Sequence, residues 1–592
     1  MSTLLPNEDK HQKCRQKELS KKRGIYIYNH NLIPGVGMND GLPFKEFPRL
    51  FWVIKLIGVG SALMENLLAA SENYAYKIGK FILPHIFKVK MVIRLLLNIL
   101  INKDPNAFFT RGGEYILQYL RKGEGLNLTE YNSLFATIKI PEKSADFLSD
   151  KNFADMRLAG WNPAVIEGIK KIPKNFPFTN KLLKEIDGFQ DETIDKLLKT
   201  GRAYLVNYEI LSILKDGNQP MGKKFTFAPM ALLFLNKDRS ELLPVAIQCG
   251  QDPKKFPIFT PKDDFWAWNI AKLIVNSADG NYHEVITHLG KTHLVIEPIV
   301  VATHRQLSER HPLFKLLYPH FNGTIYINYL AKEKLIAPGG GVDYLLSGTI
   351  ESDVAVALKA VGSSGFNDSF FPEFFKNKNT INNELLPDYP YRDDGLLIWE
   401  EIKKWVDSYL RLYYKSDEDI KNDVELNLWV SELTSPVGAG IKNFGDNGDG
   451  KIETLEYLTL AITYIIFTAS AAHSSVNFPQ KDLMMYTPGV PLGVYHNGPE
   501  KNRKYSEEDW MKMLPPLNMA SLQLNLGYTL GGVYYTKLGN YSNFNDHRAI
   551  KLCKEFKKSL KKAEGVLKGR NAYGRIQYEY MYPSRITQSI NI

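Results

Sequence analysis

The chain has 592 residues, a length that by itself suggests several domains, and its 44% hydrophobic and 12% aromatic content suffices to bury large cores. The net charge of +10 favours anionic surfaces but is too diffuse for a nucleic-acid partner, so none is expected. Cys14, Cys249 and Cys553 lie far apart and give no disulfide framework, which points to a reduced, cytoplasmic setting.

Residues 1–24 are polar and basic, with Lys10, Lys13, Arg15, Lys17, Lys21, Lys22 and Arg23, and lack the apolar core of a secretory signal. A disordered arm is expected here, with contact to anionic lipid as the alternative. Residues 25–110 read as a helical N-terminal extension. It contains FPRLFWVIKLIGVGSALMENLLAA and GKFILPHIFKVKMVIRLLLNILINK, both apolar and both interrupted by charges at Lys55, Glu65, Lys88, Lys90 and Arg94. The longest uninterrupted apolar stretch falls short of the ~20 residues a membrane span needs. The runs are therefore either core helices or interfacial helices lying on a membrane with their lysines at the headgroups. No alternating strand pattern is visible in this region.

Strand-like runs follow at 201–211, 225–235 and 242–249, separated by turn signals at Asp216–Gly217–Asn218 and Asn236–Lys237–Asp238. They predict a small sheet beside a larger helical body.

Six of the twelve histidines fall between Trp266 and His320. His283, His288 and His293 are spaced by five in an apolar, helix-like run. On a regular α-helix five residues turn a side chain by roughly 500°, leaving it about 140° off. Two such histidines face one metal ion only if the helix widens by a residue, as a π-type turn does. The HEVITH stretch is not a zinc-hydrolase motif, which needs histidines four apart around its Glu. Spacing alone leaves open which of the three histidines would act together.

Residues 445–456, GDNGDGKIETLE, imitate a calcium loop but carry Gly445 where the first ligand should be Asp. A helix-starting loop with Thr454 or Asp449 near the cap is the expected reading. The helix pattern that follows, LEYLTLAITYIIFTASAAHSSVNFPQ, meets polar residues only near its end. His473 and Asn477, four apart, are roughly 40° apart on one face. A buried imidazole and amide need partners, and metal ligation is an economical way to give both one. Helices are also predicted within 508–532 and 546–571, the latter with lysines on one face and Leu552, Phe556 and Leu560 on the other. The chain ends ITQSINI, without a side-chain charge.

Several ordered stretches together resemble the lipoxygenase family: HLGKTHLVIEPIVVATHRQL with HPLFKLLYPH, YPYRDDGLLIWEEI, SAAHSSVNF and the terminal SINI. The resemblance covers about residues 110–592. It implies a mostly α fold: a large helical catalytic domain at 111–592, with a long central metal-bearing helix and small β-sheets, behind the helical extension. It also implies one non-haem iron, expected ahead of manganese, held by His288, His293, His473, Asn477 and the terminal carboxylate of Ile592. His283 is then not a ligand. The implied activity is insertion of O2 into polyunsaturated fatty acids to give hydroperoxides, through hydrogen abstraction by a ferric hydroxide. The same scaffold also suits a hydroperoxide isomerase or epoxyalcohol synthase, or a non-catalytic lipid-binding relative. Ala331 matches the position where alanine accompanies S products and glycine R products. Leu335 and Val342 match positions walling the acyl chain. Glu284 stands where family members often have Gln, and Gln480 matches a residue placed to orient Asn477. A monomer in the cytoplasm, peripheral to a membrane, is expected.

Overall fold

The structure, a computed structural model, describes residues 3–70 and 123–592. The second apolar run of the N-terminal extension lies outside the described residues.

The fold is built around a continuous helix of 42 residues, Phe265–Gln306. Asp264 starts it, accepting hydrogen bonds from the amides of Trp266 and Ala267. Eleven residues in its middle, His283–His293, have π geometry, flanked by α-helical turns on both sides. The Thr292 hydroxyl donates to the His288 carbonyl, and Pro298, which has no N–H, sits just past the widened stretch.

A second long helix, Leu455–Met484, packs beside it. It too is widened, at Thr468–Ala472 and Gln480–Met484, on either side of an α-helical turn His473–Asn477. Thr454 caps it by accepting from the Tyr457 amide, and Asp446 accepts from Glu453 N and the Thr454 hydroxyl. The 445–456 loop thus serves as a helix start. Three further helices cover the pair: Ile350–Ser363 against the widened histidine stretch, Pro390–Leu410 against the second helix, and His547–Ala572 against Pro390–Leu410.

The small sheet is antiparallel, in the order β3 (Glu167–Gly168), β4 (Ala203–Asn207), β5 (Met230–Leu235), β6 (Leu242–Gln248), β7 (Ile258–Phe259). One of its faces closes a separate small core with Phe176, Phe178 and Phe189, and the other joins the main core. A two-residue pair, β1 (Tyr28–Asn29) and β2 (Met38–Asn39), lies against the central helix.

The expected disordered arm is instead docked. Gln12–Arg23 is a helix packed on the central helix. Arg15 is buried, with Nε and Nη2 bonding both oxygens of Glu425 at 2.7 and 2.8 Å and Nη1 bonding Asp9. Arg23 reaches Gln306, and Lys22 pairs with Glu18. A basic run read alone repels itself. Here its charges meet acceptors hundreds of residues away, and a bidentate Arg–carboxylate pair is among the stronger polar contacts.

Residues Leu50–Ala70 form one helix, long and apolar enough to cross a membrane by composition. Trp52, Val53, Leu56, Leu63 and Leu67 are buried against the body, while Leu50, Phe51 and Ile54 face outward.

Candidate metal centre

Three imidazole nitrogens meet at the middle of the two long helices. His288 Nε2 lies 3.3 Å from His293 Nε2 and 3.3 Å from His473 Nε2. All three residues are buried. The π stretch explains how His288 and His293 share a face at a spacing of five: its i→i+5 bonding brings the sixth residue back under the first.

The protonation states follow from what lies behind each ring. Asn328 Nδ2 donates to Glu297 Oε2 at 2.7 Å, so its Oδ1 faces His293 Nδ1, 2.6 Å away. Nδ1 must then carry the proton, and Nε2 presents a lone pair to the cluster. Behind His288, Nδ1 faces Glu284 Oε2 at 3.7 Å. The main chain of Ile592 lies against the His473 ring, whose Nδ1 has no hydrogen-bond partner. Burial, joined by the neighbouring imidazoles, pushes the basicity of all three rings down, to about 3 for His293. Neutral imidazoles are the form that binds metal.

Ring nitrogens this close either share a proton or hold a cation between them. Bonds of roughly 2.1 Å to one ion, at angles of about 90–110°, place ligand atoms ~3.0–3.4 Å apart. The observed spacing fits that arrangement, and the residues present fit a metal ion.

Asn477 is one turn beyond His473 and fully buried. Its Nδ2 donates to the Leu530 carbonyl at 2.9 Å and its Oδ1 accepts from Gln480 Nε2 at 3.1 Å. The amide is held with its oxygen retaining a free lone pair. Ile592 is buried at the end of a tail anchored along its length: Thr587 N to Ser474 Oγ, His320 Nδ1 to Gln588 O, Thr324 Oγ1 to Ile590 O and Trp52 Nε1 to Asn591 O.

His283 does something else. Its Nε2 donates to the Val476 carbonyl at 2.7 Å, tying the central helix to the second one. Three of the remaining histidines in the stretch are packing residues. His304 stacks on Tyr26, His311 bonds Asp423, and His320 bonds Tyr541 and the tail.

Glu284 lies between His283 Nδ1 (3.5 Å) and His288 Nδ1 (3.7 Å) and also lines a cavity of only about 20 Å³ with Leu289, Ile336, Val342 and Ala357. Burial pushes its carboxyl up, but the two imidazoles outweigh this and hold it down at about 2. Leu335 packs near Gly341 and Leu526, and Ala331 opens a short π turn, Ala331–Leu335; neither lines that cavity. Asn328 and Glu297 escape sequence reasoning. Their signal was present, since an amide and a carboxylate inside buried helices need partners, but nothing in the sequence says that they serve His293.

A helical body whose two core helices widen to bring three buried imidazoles together presents a candidate metal centre in a largely helical fold. Comparison with known proteins narrows this. The lipoxygenase family matches residues 115–580. A Pseudomonas aeruginosa linoleate 9/13-lipoxygenase is 34% identical, covering 98% of this chain and 91% of its own length. The human polyunsaturated fatty acid lipoxygenase ALOX15B is 33% identical, covering 98% and 87%. An anaerobic crystal structure of a lipoxygenase in complex with arachidonate superposes with a TM-score of 0.84 at 26% identity, covering all of this chain and 84% of that one. The chain belongs to the lipoxygenase family.

Proposed function

We infer that the protein inserts O2 into polyunsaturated fatty acids with a cis,cis-1,4-pentadiene and releases hydroperoxides. The observation that carries this is the meeting of three buried imidazoles, with His288 Nε2 3.3 Å from both His293 Nε2 and His473 Nε2, in a chain similar to a linoleate lipoxygenase. We assign the ion as iron, ahead of manganese. Its donors are His288, His293, His473, the Asn477 amide oxygen and the Ile592 terminal carboxylate, a nitrogen and oxygen set without sulfur. When bound, such an ion supplies the one-electron chemistry that removes a hydrogen atom from a doubly allylic CH2, and the carbon radical left behind takes up O2.

The chain's own residues orient and enclose. Asn328 and Glu297 hold His293, Glu284 stands behind His288, and Gln480 holds Asn477. Val342, Leu289 and Ala357 wall the side of Glu284 with apolar side chains. The space they leave, about 20 Å³, holds about one water molecule and not an acyl chain. Seating an acyl chain there therefore requires wall side chains to move. Peripheral membrane contact belongs to the same proposal. The outward Leu50, Phe51 and Ile54, with Lys45 and Lys55 beside them, suit the headgroup boundary of a bilayer, the place from which a cytoplasmic monomer would draw its substrate.

The test is linoleate under air, followed by conjugated-diene absorbance and O2 uptake, with metal analysis of the same sample. Iron-loaded protein that forms diene with matching O2 uptake supports the reading. Iron-loaded protein that forms no diene but consumes a fatty-acid hydroperoxide is an isomerase instead, and one that only binds the acid is a lipid-binding relative.

A further inference from the structure

A second cavity lies apart from the metal centre. It measures about 340 Å³, within the range of small-ligand pockets, about 300–1,000 Å³. None of His288, His293 and His473 lines it. Its walls come from the other face of the same two helices, Thr287, Gly290 and Lys291 on one and Thr468, Ala472 and Val476 on the other. Helix Ile350–Ser363 completes it. The mouth lies at Gly35, Gly362, Gly440 and Lys442, all exposed.

Its chemistry is specific. The inner wall is aromatic, with Phe371 packed on Phe467 and Tyr391, and Phe366 on Tyr464. Two lysines line it and no Asp or Glu does. Lys442 Nζ donates to the Gly362 carbonyl at 3.3 Å. Lys291 Nζ lies 5.8 Å from the centre of the Phe374 ring and has no carboxylate partner among the described residues. An ammonium among apolar walls without a counter-ion is a costly arrangement. An incoming anion with an apolar body relieves it.

We propose that this cavity is a second acyl-anion site, separate from the metal side, in which Lys291 binds the carboxylate of a long-chain acid whose tail lies along the Phe371 and Phe467 wall. The assignment stands on the lining of the cavity and not on the reaction. Two acids share this chemistry: an unoxidised fatty acid and its oxygenated product.

Oleate is the first probe. It has one double bond and no doubly allylic CH2, so the holoenzyme binds it without turnover. Calorimetric titration should show two sites per chain. In Lys291→Met one of them weakens by roughly ten- to a hundredfold, the loss of a charged hydrogen bond. Gly362→Leu, at the mouth, should obstruct the same site, and an added Cβ there meets no atom within 4 Å. Linoleate oxidation and the thermal midpoint should persist in both variants. Repeating the titration with a hydroxy-octadecadienoic acid shows which source the site prefers, and tighter binding of either supports it. A single oleate site in the wild type, or two sites unchanged in both variants, overturns the proposal. Should Lys291→Met fail to fold, the glycine variant decides. A wild type with two sites but no diene formation would sink the dioxygenase reading and leave this one standing.

Discussion

Trp52 Nε1 donates to the carbonyl of Asn591 at 2.7 Å, joining helix Leu50–Ala70 to the peptide bond before Ile592. Trp52 is itself wedged edge-on against Tyr326, on the helical segment that carries Asn328. Helix Leu50–Ala70 is thus tied to the tail next to Ile592. Trp52→Phe should keep the packing and lose that bond, at a cost of about 1 kcal/mol, or roughly a fivefold faster loss of metal to a chelator. Metal release at the wild-type rate would show that the remaining tail contacts hold Ile592 without it.

Extending the chain beyond Ile592, or deleting that residue, should abolish metal loading and turnover. The tail is buried, and a buried terminal carboxylate is tolerated only when it is paired or metal-bound. Metal content and O2 uptake of a C-terminally tagged protein check this; full loading with full rate would place the carboxylate outside the ligand set.

Asn328→Leu should weaken metal binding about 10- to 100-fold, since the amide fixes the tautomer and direction of His293. His283→Leu should leave metal affinity nearer the wild type while lowering the unfolding midpoint, because its ring ties one helix to another. Competitive chelation and thermal melts separate the two. Equal metal loss in both would remove the distinction drawn between ligand support and helix tie.

Asp353 is buried with neither carboxyl oxygen hydrogen-bonded. Burial pushes its carboxyl up to about 8, with Lys224 pulling the other way. The unfolded chain releases this proton near the ordinary value of 3.8, whereas the fold keeps it. The contribution to stability is therefore full below about pH 4 and is lost as pH rises through about 8. Asp353→Asn should flatten that decline and gain a few kcal/mol over the wild type above pH 8. Urea midpoints at pH 5 and pH 8.5 measure the difference; parallel curves for the two proteins would contradict it.

Ala331→Gly should raise the share of R hydroperoxide in the product of one C18 and one C20 acid. Ala331 opens the short π turn that ends at Leu335, beside Leu526. Chiral chromatography reads the outcome, and an unchanged S-to-R ratio would detach stereochemistry from this residue.

Much of this protein is legible along the chain. Helix periodicity, the β-rich runs at 201–249 and the capping Thr454 belong to local physics, and the structure has helices, strands and a cap there. Histidines five apart share an ion only if their helix widens, and the π stretch supplies that widening. What spacing did not decide was which histidines act together. His283 is excluded from the cluster by a carbonyl on another helix, Val476, nearly two hundred residues on.

The N-terminal arm shows the opposite case. Its basic residues read as repulsive because their partners, Glu425 above all, lie 410 positions away. Local sequence determined which segments would be helix, where the polar groups inside them would need partners, and that the last residues carry no charge of their own. Only the tertiary structure decided which partners those groups found. Pairing across hundreds of residues depends on how helices cross, and the lone pairs of His288, His293 and His473 converge only after the packing is complete.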